Sequence, residues 1–96
     1  MPLPKQTNYQ RSRTATADTA FTVVSPGSEE GEVILSSANF HCYTNDLYYG
    51  TGAQQEGIIR ANAVVWFDGH IKVSDWWFKN VTAGSNGKIV ITGVVK

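Results

Sequence analysis

A chain of 96 residues with a formal net charge of zero is long enough for one small domain. Charged residues make up only 17% of it, so the surface relies on neutral polar groups, which is typical of β-rich proteins. The single cysteine excludes an intrachain disulfide and therefore a disulfide-stapled secreted scaffold. No apolar run approaches the roughly 20 residues of a membrane-spanning helix, and the first residues lack the apolar segment of a signal peptide. We therefore expect synthesis in the cytoplasm and no membrane partner.

The N-terminal segment, MPLPKQTNYQRSRTATADT, has no hydrophobic period and contains two prolines among small polar side chains. We predict an extended arm at 1–19, flexible or ordered on a partner, followed by a β-domain at 20–96. Leu3 and Tyr9 are the large apolar side chains of this arm. They are the predicted anchors on a neighbouring subunit.

The arm is basic and the rest of the chain is acidic. Lys5, Arg11 and Arg13 lie in residues 1–17 with no acid, whereas residues 18–96 hold five bases and eight acids. Three cations are too few for a nucleic-acid site, because each phosphate contact adds only about one unit to the slope of log affinity against log salt concentration. We predict Arg11 and Arg13 as contact residues on a partner surface, where an acidic patch would strengthen the attachment.

Two strands are predicted before the middle of the chain. Ala20–Ser25 (AFTVVS) is rich in β-branched residues, and Glu32–Thr44 (EVILSSANFHCYT) forms one long or two short strands. In the second of these, the apolar residues change face across Ser36 and Ser37.

No residues of this chain have the spacing of a catalytic or metal site. His41 and Cys42 are adjacent, so in a strand they point to opposite sides and cannot bind one metal ion. Cys42 is predicted to be a core residue and His41 a surface or interface residue. We therefore expect no catalytic, cofactor-binding or metal-binding residues and no enzymatic activity. A small enzyme or regulator using His41 and Asp46 is the least favoured alternative.

The stretch Asn45–Gly57 (NDLYYGTGAQQEG) is predicted to be the longest irregular segment, because glycines punctuate it. Tyr48 and Tyr49 give it aromatic content. We expect it to lie over the domain or across a subunit boundary.

A β-hairpin is predicted over Ile58–Phe78, with Asp68 and Gly69 at its tip in a type I′ turn. With this register, the apolar pairs near the tip and those near the base fall on opposite faces. Both strands are therefore predicted to change their buried face around Ala63 and Ser74.

The last strand is predicted at Lys88–Val95, after a second hairpin turn at Asn86 and Gly87. It is apolar on both faces, as is the segment 64–67 with Trp66. Together these segments carry more apolar surface than one small core can hide. We therefore predict a homo-oligomer, with a trimer as the expected state.

Trp76 and Trp77 are adjacent, so a regular strand places them on opposite sides. One is predicted to lie in the core. The other covers a groove, stacks on a sugar or lies under a second subunit. We favour the subunit contact, because exposed tryptophan is costly in a small protein.

The predicted fold is all-β, a small sandwich or squashed barrel of about six to eight strands behind an N-terminal arm. The polar arm, the run AFTVVSPG and the ending NVTAGSNGKIVITGVVK resemble the capsid decoration (cement) proteins of tailed bacteriophages. This resemblance implies a non-enzymatic homotrimer of the virion that bridges neighbouring subunits of the major capsid protein. The predicted contact residues are Leu3, Tyr9, Arg11, Arg13, Tyr48, Tyr49, Trp66, Trp76 and Trp77. The alternative is a carbohydrate- or receptor-binding module, such as a fibre or tail head, that uses its surface Trp and Tyr residues.

Overall fold

The computed structural model describes residues 8–52 and 55–96, which form eight strands and two short 3₁₀ turns. The strands are β1 (Asn8–Thr14), β2 (Phe21–Thr22), β3 (Ile34–Tyr43), β4 (Leu47–Thr51), β5 (Gly57–Ile59), β6 (Val64–Lys72), β7 (Trp76–Asn80) and β8 (Lys88–Val95). The 3₁₀ turns are Glu30–Glu32 and Val73–Asp75. Two antiparallel four-stranded sheets form the layers, a first sheet ordered β1-β8-β3-β6 and a second ordered β2-β7-β4-β5. The predicted all-β sandwich is confirmed. Within the described stretches, no helix has the length and apolar character needed to span a membrane.

One hydrophobic core lies between the two sheets. Phe40 of β3 and Phe78 of β7 are both fully buried and meet edge to face, with ring centroids 5.6 Å apart. Because they come from different sheets, this contact joins the two layers. The other fully buried large side chains are Leu35, Cys42, Leu47, Ile59, Val73, Ile89 and Ile91. Burial of each large apolar side chain contributes about 1.5–3 kcal/mol.

Strand β3 is continuous, and its buried residues change phase at a β-bulge. Leu35 is buried before the bulge and Phe40 after it, which is an odd separation. The register slips between Leu35 and Ser37 against both neighbouring strands. The predicted change of face across Ser36 and Ser37 is confirmed, and the bulge is its physical cause.

The hairpin predicted at Asp68 and Gly69 is wrong. Strand β6 continues through both residues and pairs with β3, and Gly69 has a φ of +113° at the bulge opposite Ser36. A glycine with positive φ is suited to a bulge as well as to a turn. The Asp68-Gly69 sequence therefore does not show which of the two structures forms. The chain leaves the first sheet at the 3₁₀ turn Val73–Asp75 and continues as β7 in the second. The predicted change of buried face near Ser74 therefore marks the point where the chain crosses from the first sheet to the second.

The second predicted hairpin, at Asn86 and Gly87, is also wrong, because β7 and β8 lie in different sheets. Gly87 is required here for close packing. A Cβ on this residue would lie 2.6 Å from the carbonyl oxygen of Asn45 and 2.7 Å from Cγ of Leu47.

The stretch predicted to be irregular contains two strands. β4 pairs with β5, with Leu47 opposite Ile59 and Tyr49 opposite Gly57. Leu47 is fully buried. The glycines misled the prediction, because one of them, Gly57, is a strand residue that makes room for the ring of Tyr49.

The boundary predicted at residue 19 is wrong, because the β-domain includes Asn8–Thr14. This strand, β1, pairs with β8 over its whole length, and Tyr9 and Ala15 are buried. The inward positions after Tyr9 hold Arg11 and Arg13, so the segment lacks the apolar alternation that identifies a strand in a sequence.

Candidate functional site

The outer face of the first sheet carries Trp66, a tryptophan with 72% of its surface exposed. Side chains alternate along β3, and Ala38, Phe40 and Cys42 are buried in the core, so the residues between them point outward. The register sets Trp66 beside Asn39 on this outer side. We call this surface the Trp66 face. It comprises Asn8, Gln10, Ser12 and Thr14 of β1, Lys88, Val90, Thr92 and Val94 of β8, Ser37, Asn39, His41 and Tyr43 of β3, and Val64, Trp66 and Asp68 of β6.

The centre of the Trp66 face is apolar and aromatic. Val64 and Val90 flank His41 on the neighbouring strands. The His41 ring stacks on Tyr43, with centroids 4.9 Å apart and planes inclined by 24°. An aromatic and aliphatic stripe therefore crosses three strands next to Trp66.

Charge is confined to the two opposite ends of the Trp66 face. Lys88 lies beside Tyr43 at one end, and Asp68 lies beside Ser37 at the other. One positive and one negative group leave the surface without net charge. A polyanion such as nucleic acid has no basic stripe to bind there.

Arg11 and Arg13 both form contacts within their own chain, and their role as contacts to a partner stays a prediction. Both occupy inward positions on the edge strand β1. Arg11 forms an ion pair with Glu30, and Nη1 of Arg13 donates to the carbonyl oxygen of Thr22 over 2.8 Å. Inward-pointing charges on an edge strand discourage the addition of a further strand.

Tyr9 belongs to the core of its own chain and is not an anchor on a neighbour. Its ring is 7% exposed and lies on the strand position opposite Gly93. Burial, and secondarily the charge of Glu30, raises the pKa of the Tyr9 hydroxyl. The other predicted anchor, Leu3, lies outside the described residues.

The adjacent Trp76 and Trp77 lie on opposite faces of the second sheet. Trp76 points inward and contacts Phe40 edge to face, with centroids 5.1 Å apart. Trp77 lies on the outer face and is half-buried. The tyrosines divide in the same way, with Tyr49 packed against the core and Tyr48 on the outer side.

A groove of about 380 Å³ opens beside the partly buried rings of Trp76 and Tyr49. We call it the Trp76 groove. It is lined by Tyr49, Gly50, Thr51, Glu56, Gly57 and Trp76. Aromatic faces, a hydroxyl and a carboxylate therefore meet at the junction of β4, β5 and β7.

His41 and Asp46 do not form an acid–base pair. Asp46 accepts hydrogen bonds of 2.8 Å from the backbone N–H of Ala61 and from Nη1 of Arg60. These two contacts, that of Ala61 first, lower the pKa of Asp46 and keep it ionised. In residues 8–52 and 55–96, no group of three or more His, Cys, Asp or Glu side chains is arranged to hold a metal ion.

The thiol of Cys42 is expected to be unreactive in the folded protein. Cys42 is fully buried, and its Sγ donates to the carbonyl oxygen of Asn45 over 3.0 Å. Burial, and secondarily the charge of Asp46, raises the pKa of Cys42 to about 11. The protein therefore keeps its full stability below the ordinary thiol pKa and loses stability as the pH rises from there through about 11.

This expectation is checked with a disulfide reagent at about pH 8, where an exposed thiol is partly ionised. Cys42 is expected to react only after urea unfolds the protein. Stoichiometric labelling of the native protein within seconds would contradict the burial of the thiol.

Comparison of the chain with known protein families, curated proteins and solved structures found no match. The functional conclusion therefore depends on the chemistry of the Trp66 face and the Trp76 groove.

Sequence reasoning found some residues of these two surfaces and missed others. Trp66, Tyr49 and Trp76 were predicted contact residues. Val90 was missed as an individual residue, although the two-sided apolar pattern of β8 contains the signal. Glu56 was missed because it follows a stretch of glycine and glutamine with no strand pattern.

Proposed function

We propose that this protein is a non-enzymatic binding module that docks on a flat, uncharged protein surface through the Trp66 face. The observation that carries the proposal is the 72% exposure of Trp66 on the edge strand β6 of a sheet face without net charge. Large exposed apolar groups bordered by polar residues mark interaction sites, and tryptophan is enriched among residues that dominate binding energy.

The chemistry of the Trp66 face limits the class of partner. With only Lys88 and Asp68 as charged groups at its ends, it offers no electrostatic attraction to a charged polymer or an anionic membrane. A protein surface with apolar patches and neutral hydrogen-bonding groups is the complementary partner.

The size of the face favours repeated, weak contacts. Four strands about 4.8 Å apart and seven residues of about 3.3 Å each give a footprint of roughly 450 Å². A stable pair of proteins buries about 800 Å² on each partner. Self-association, or attachment to a lattice that repeats the same site, lets several contacts of this size form together, and the overall affinity then rises through avidity.

Decoration of a bacteriophage capsid is the setting that we propose. A homotrimer in the virion would present three copies of the Trp66 face to neighbouring subunits of the major capsid protein. This role needs a rigid β-scaffold and an exposed docking face and needs no catalytic group.

Replacement of Trp66 by Ala tests this function. The assay is cosedimentation with shells of the major capsid protein encoded by the same genome as this chain. We expect Trp66→Ala to weaken the affinity for these shells by at least about tenfold, as for an interface hot spot. Folding is expected to be unaffected, because the side chain is mostly exposed. The matched control is Ile58→Ser, which removes a side chain that is 42% exposed on the second sheet.

Equal binding of wild type and Trp66→Ala, or no binding of the wild-type protein to these shells, would overturn the proposal. Sedimentation velocity of the free protein gives the oligomeric state in the same preparation. A folded monomer at micromolar concentration would contradict the trimer.

A further inference from the structure

The Trp76 groove has the composition of a sugar-binding site, and we propose that it binds one neutral hexose unit of a glycan. This site goes beyond docking through the Trp66 face and uses the other sheet. Its volume of about 380 Å³ lies within the range of small-molecule sites, roughly 300–1,000 Å³.

The aromatic wall of the groove is rigid. The ring of Trp76 packs against Phe67 and Phe40, with centroids 4.7 and 5.1 Å away. It also stacks against Tyr49, at 6.1 Å and an inclination of 26°. These contacts hold Trp76 in one orientation, so binding loses little side-chain entropy.

A glycine on β5 keeps the Tyr49 ring in this position. Tyr49 lies opposite Gly57 in the register, and a Cβ on Gly57 would collide with the Tyr49 ring. The aromatic wall therefore depends on glycine at this strand position.

Two polar groups line the groove together with the rings. Glu56 is exposed, and within the described part of the chain its carboxylate forms no ion pair or hydrogen bond. Thr51, the strand neighbour of Trp76, contributes a hydroxyl. A carboxylate accepts hydrogen bonds from two neighbouring sugar hydroxyls, and such charge-assisted bonds are the stronger class.

The arrangement of the rings favours a sugar over an organic cation. A cage for a quaternary ammonium group surrounds the charge with aromatic faces. Here the planes of Trp76 and Tyr49 are inclined by only 26°, and both rings line one groove without enclosing a charge, so the C–H bonds of a pyranose can pack against them. The charge of Glu56 disfavours phosphorylated or acidic ligands.

The test is an NMR titration of the full chain that follows backbone amide shifts. The probes are the methyl glycosides of glucose, galactose, mannose and N-acetylglucosamine, with choline as the competing cation. We expect saturable shifts at Gly50, Thr51 and Gly57 with at least one glycoside and a Kd on the order of 1 mM, the range of a small ligand with few contacts.

Three variants make the result specific. Glu56→Gln, a change of an exposed side chain, is expected to raise this Kd by about tenfold, the loss of one charge-assisted hydrogen bond. Trp77→Phe, on the opposite face of the sheet, is expected to leave it unchanged. Trp66→Ala is also expected to leave the Kd for the sugar unchanged. A failure of shell docking can therefore be distinguished from a failure of sugar binding.

Absence of saturable shifts with all four glycosides would overturn the proposal. So would shifts confined to residues outside the groove, or a Kd that Glu56→Gln does not change. Saturable binding of choline with none of the sugars would assign the groove to a cation instead.

Discussion

Deletion of residues 2–14 is expected to abolish cooperative unfolding of the protein. The deletion removes β1, which pairs with β8 at seven positions, and with it the buried ring of Tyr9. It also uncovers the inward side chains of Ile89 and Ile91, both of which are fully buried in the intact protein. A domain of this size has a stability of only about 5–15 kcal/mol, so it cannot absorb the loss of a whole strand.

A point variant separates strand loss from general effects of truncation. Tyr9→Ala is expected to lower the free energy of unfolding by about 3–5 kcal/mol, as for other large aromatic core residues. Ser12→Ala, on the outward side of the same strand, is expected to change it by no more than about 0.5 kcal/mol. Urea denaturation followed by tryptophan fluorescence measures all three proteins. An unchanged transition in the deletion variant would restore the interpretation of this segment as an arm.

The second large effect is expected at Asn80, whose side chain is 4% exposed and joins three segments of the chain. Its Nδ2 donates to the carbonyl oxygen of Ala17, to Oδ1 of Asp18 and to Oδ1 of Asn86, over 3.3, 3.0 and 2.9 Å. Its Oδ1 accepts from the backbone N–H of Gly87 over 3.0 Å. Asn80→Leu is expected to cost about 3 kcal/mol, because it leaves the buried N–H of Gly87 without a partner and removes three partly buried hydrogen bonds.

Asn80→Asp tests the donor side of this network. The aspartate keeps an acceptor for Gly87, but when ionised it cannot donate and it places a second negative charge beside Asp18. The hydrogen bond from Asn80, and secondarily that from the N–H of Gly84, lowers the pKa of Asp18. The contribution of Asp18 to stability is therefore present above its ordinary pKa and is lost as the pH falls.

Thermal unfolding at neutral pH compares these variants with Asn39→Leu, a control on the outer side of β3. Both Asn80 variants are expected to melt far below the wild type, whereas Asn39→Leu is expected to melt close to it. If Asn80→Leu cost less than about 1 kcal/mol, the network would not be a main source of stability.

The local part of the fold could be predicted from the sequence. The alternation of apolar residues identified β3, and the two-sided apolar run identified β8. The odd separation of Leu35 from Phe40 identified a change of face, which the structure shows to be a bulge. These patterns depend on neighbouring residues only, because the side-chain period of a strand is two. The same periodicity put Cys42 and His41 on opposite sides and marked the segment that contains Trp66 as apolar on both faces.

Which strands pair was decided by the tertiary structure. Gly69 has a positive φ in a bulge as it would in a turn, so only the pairing of β6 with β3 distinguishes the two. The segment of Tyr9 and Arg11 lacks an apolar alternation and becomes a strand because β8 offers it an unpaired edge. The Trp76 groove could not be predicted for the same reason. Its carboxylate, Glu56, meets Trp76 only because β4, far from β7 in the sequence, pairs with both β5 and β7. Backbone hydrogen bonds between strands are alike at every position, so the choice among partners depends on how the buried side chains of distant segments pack together.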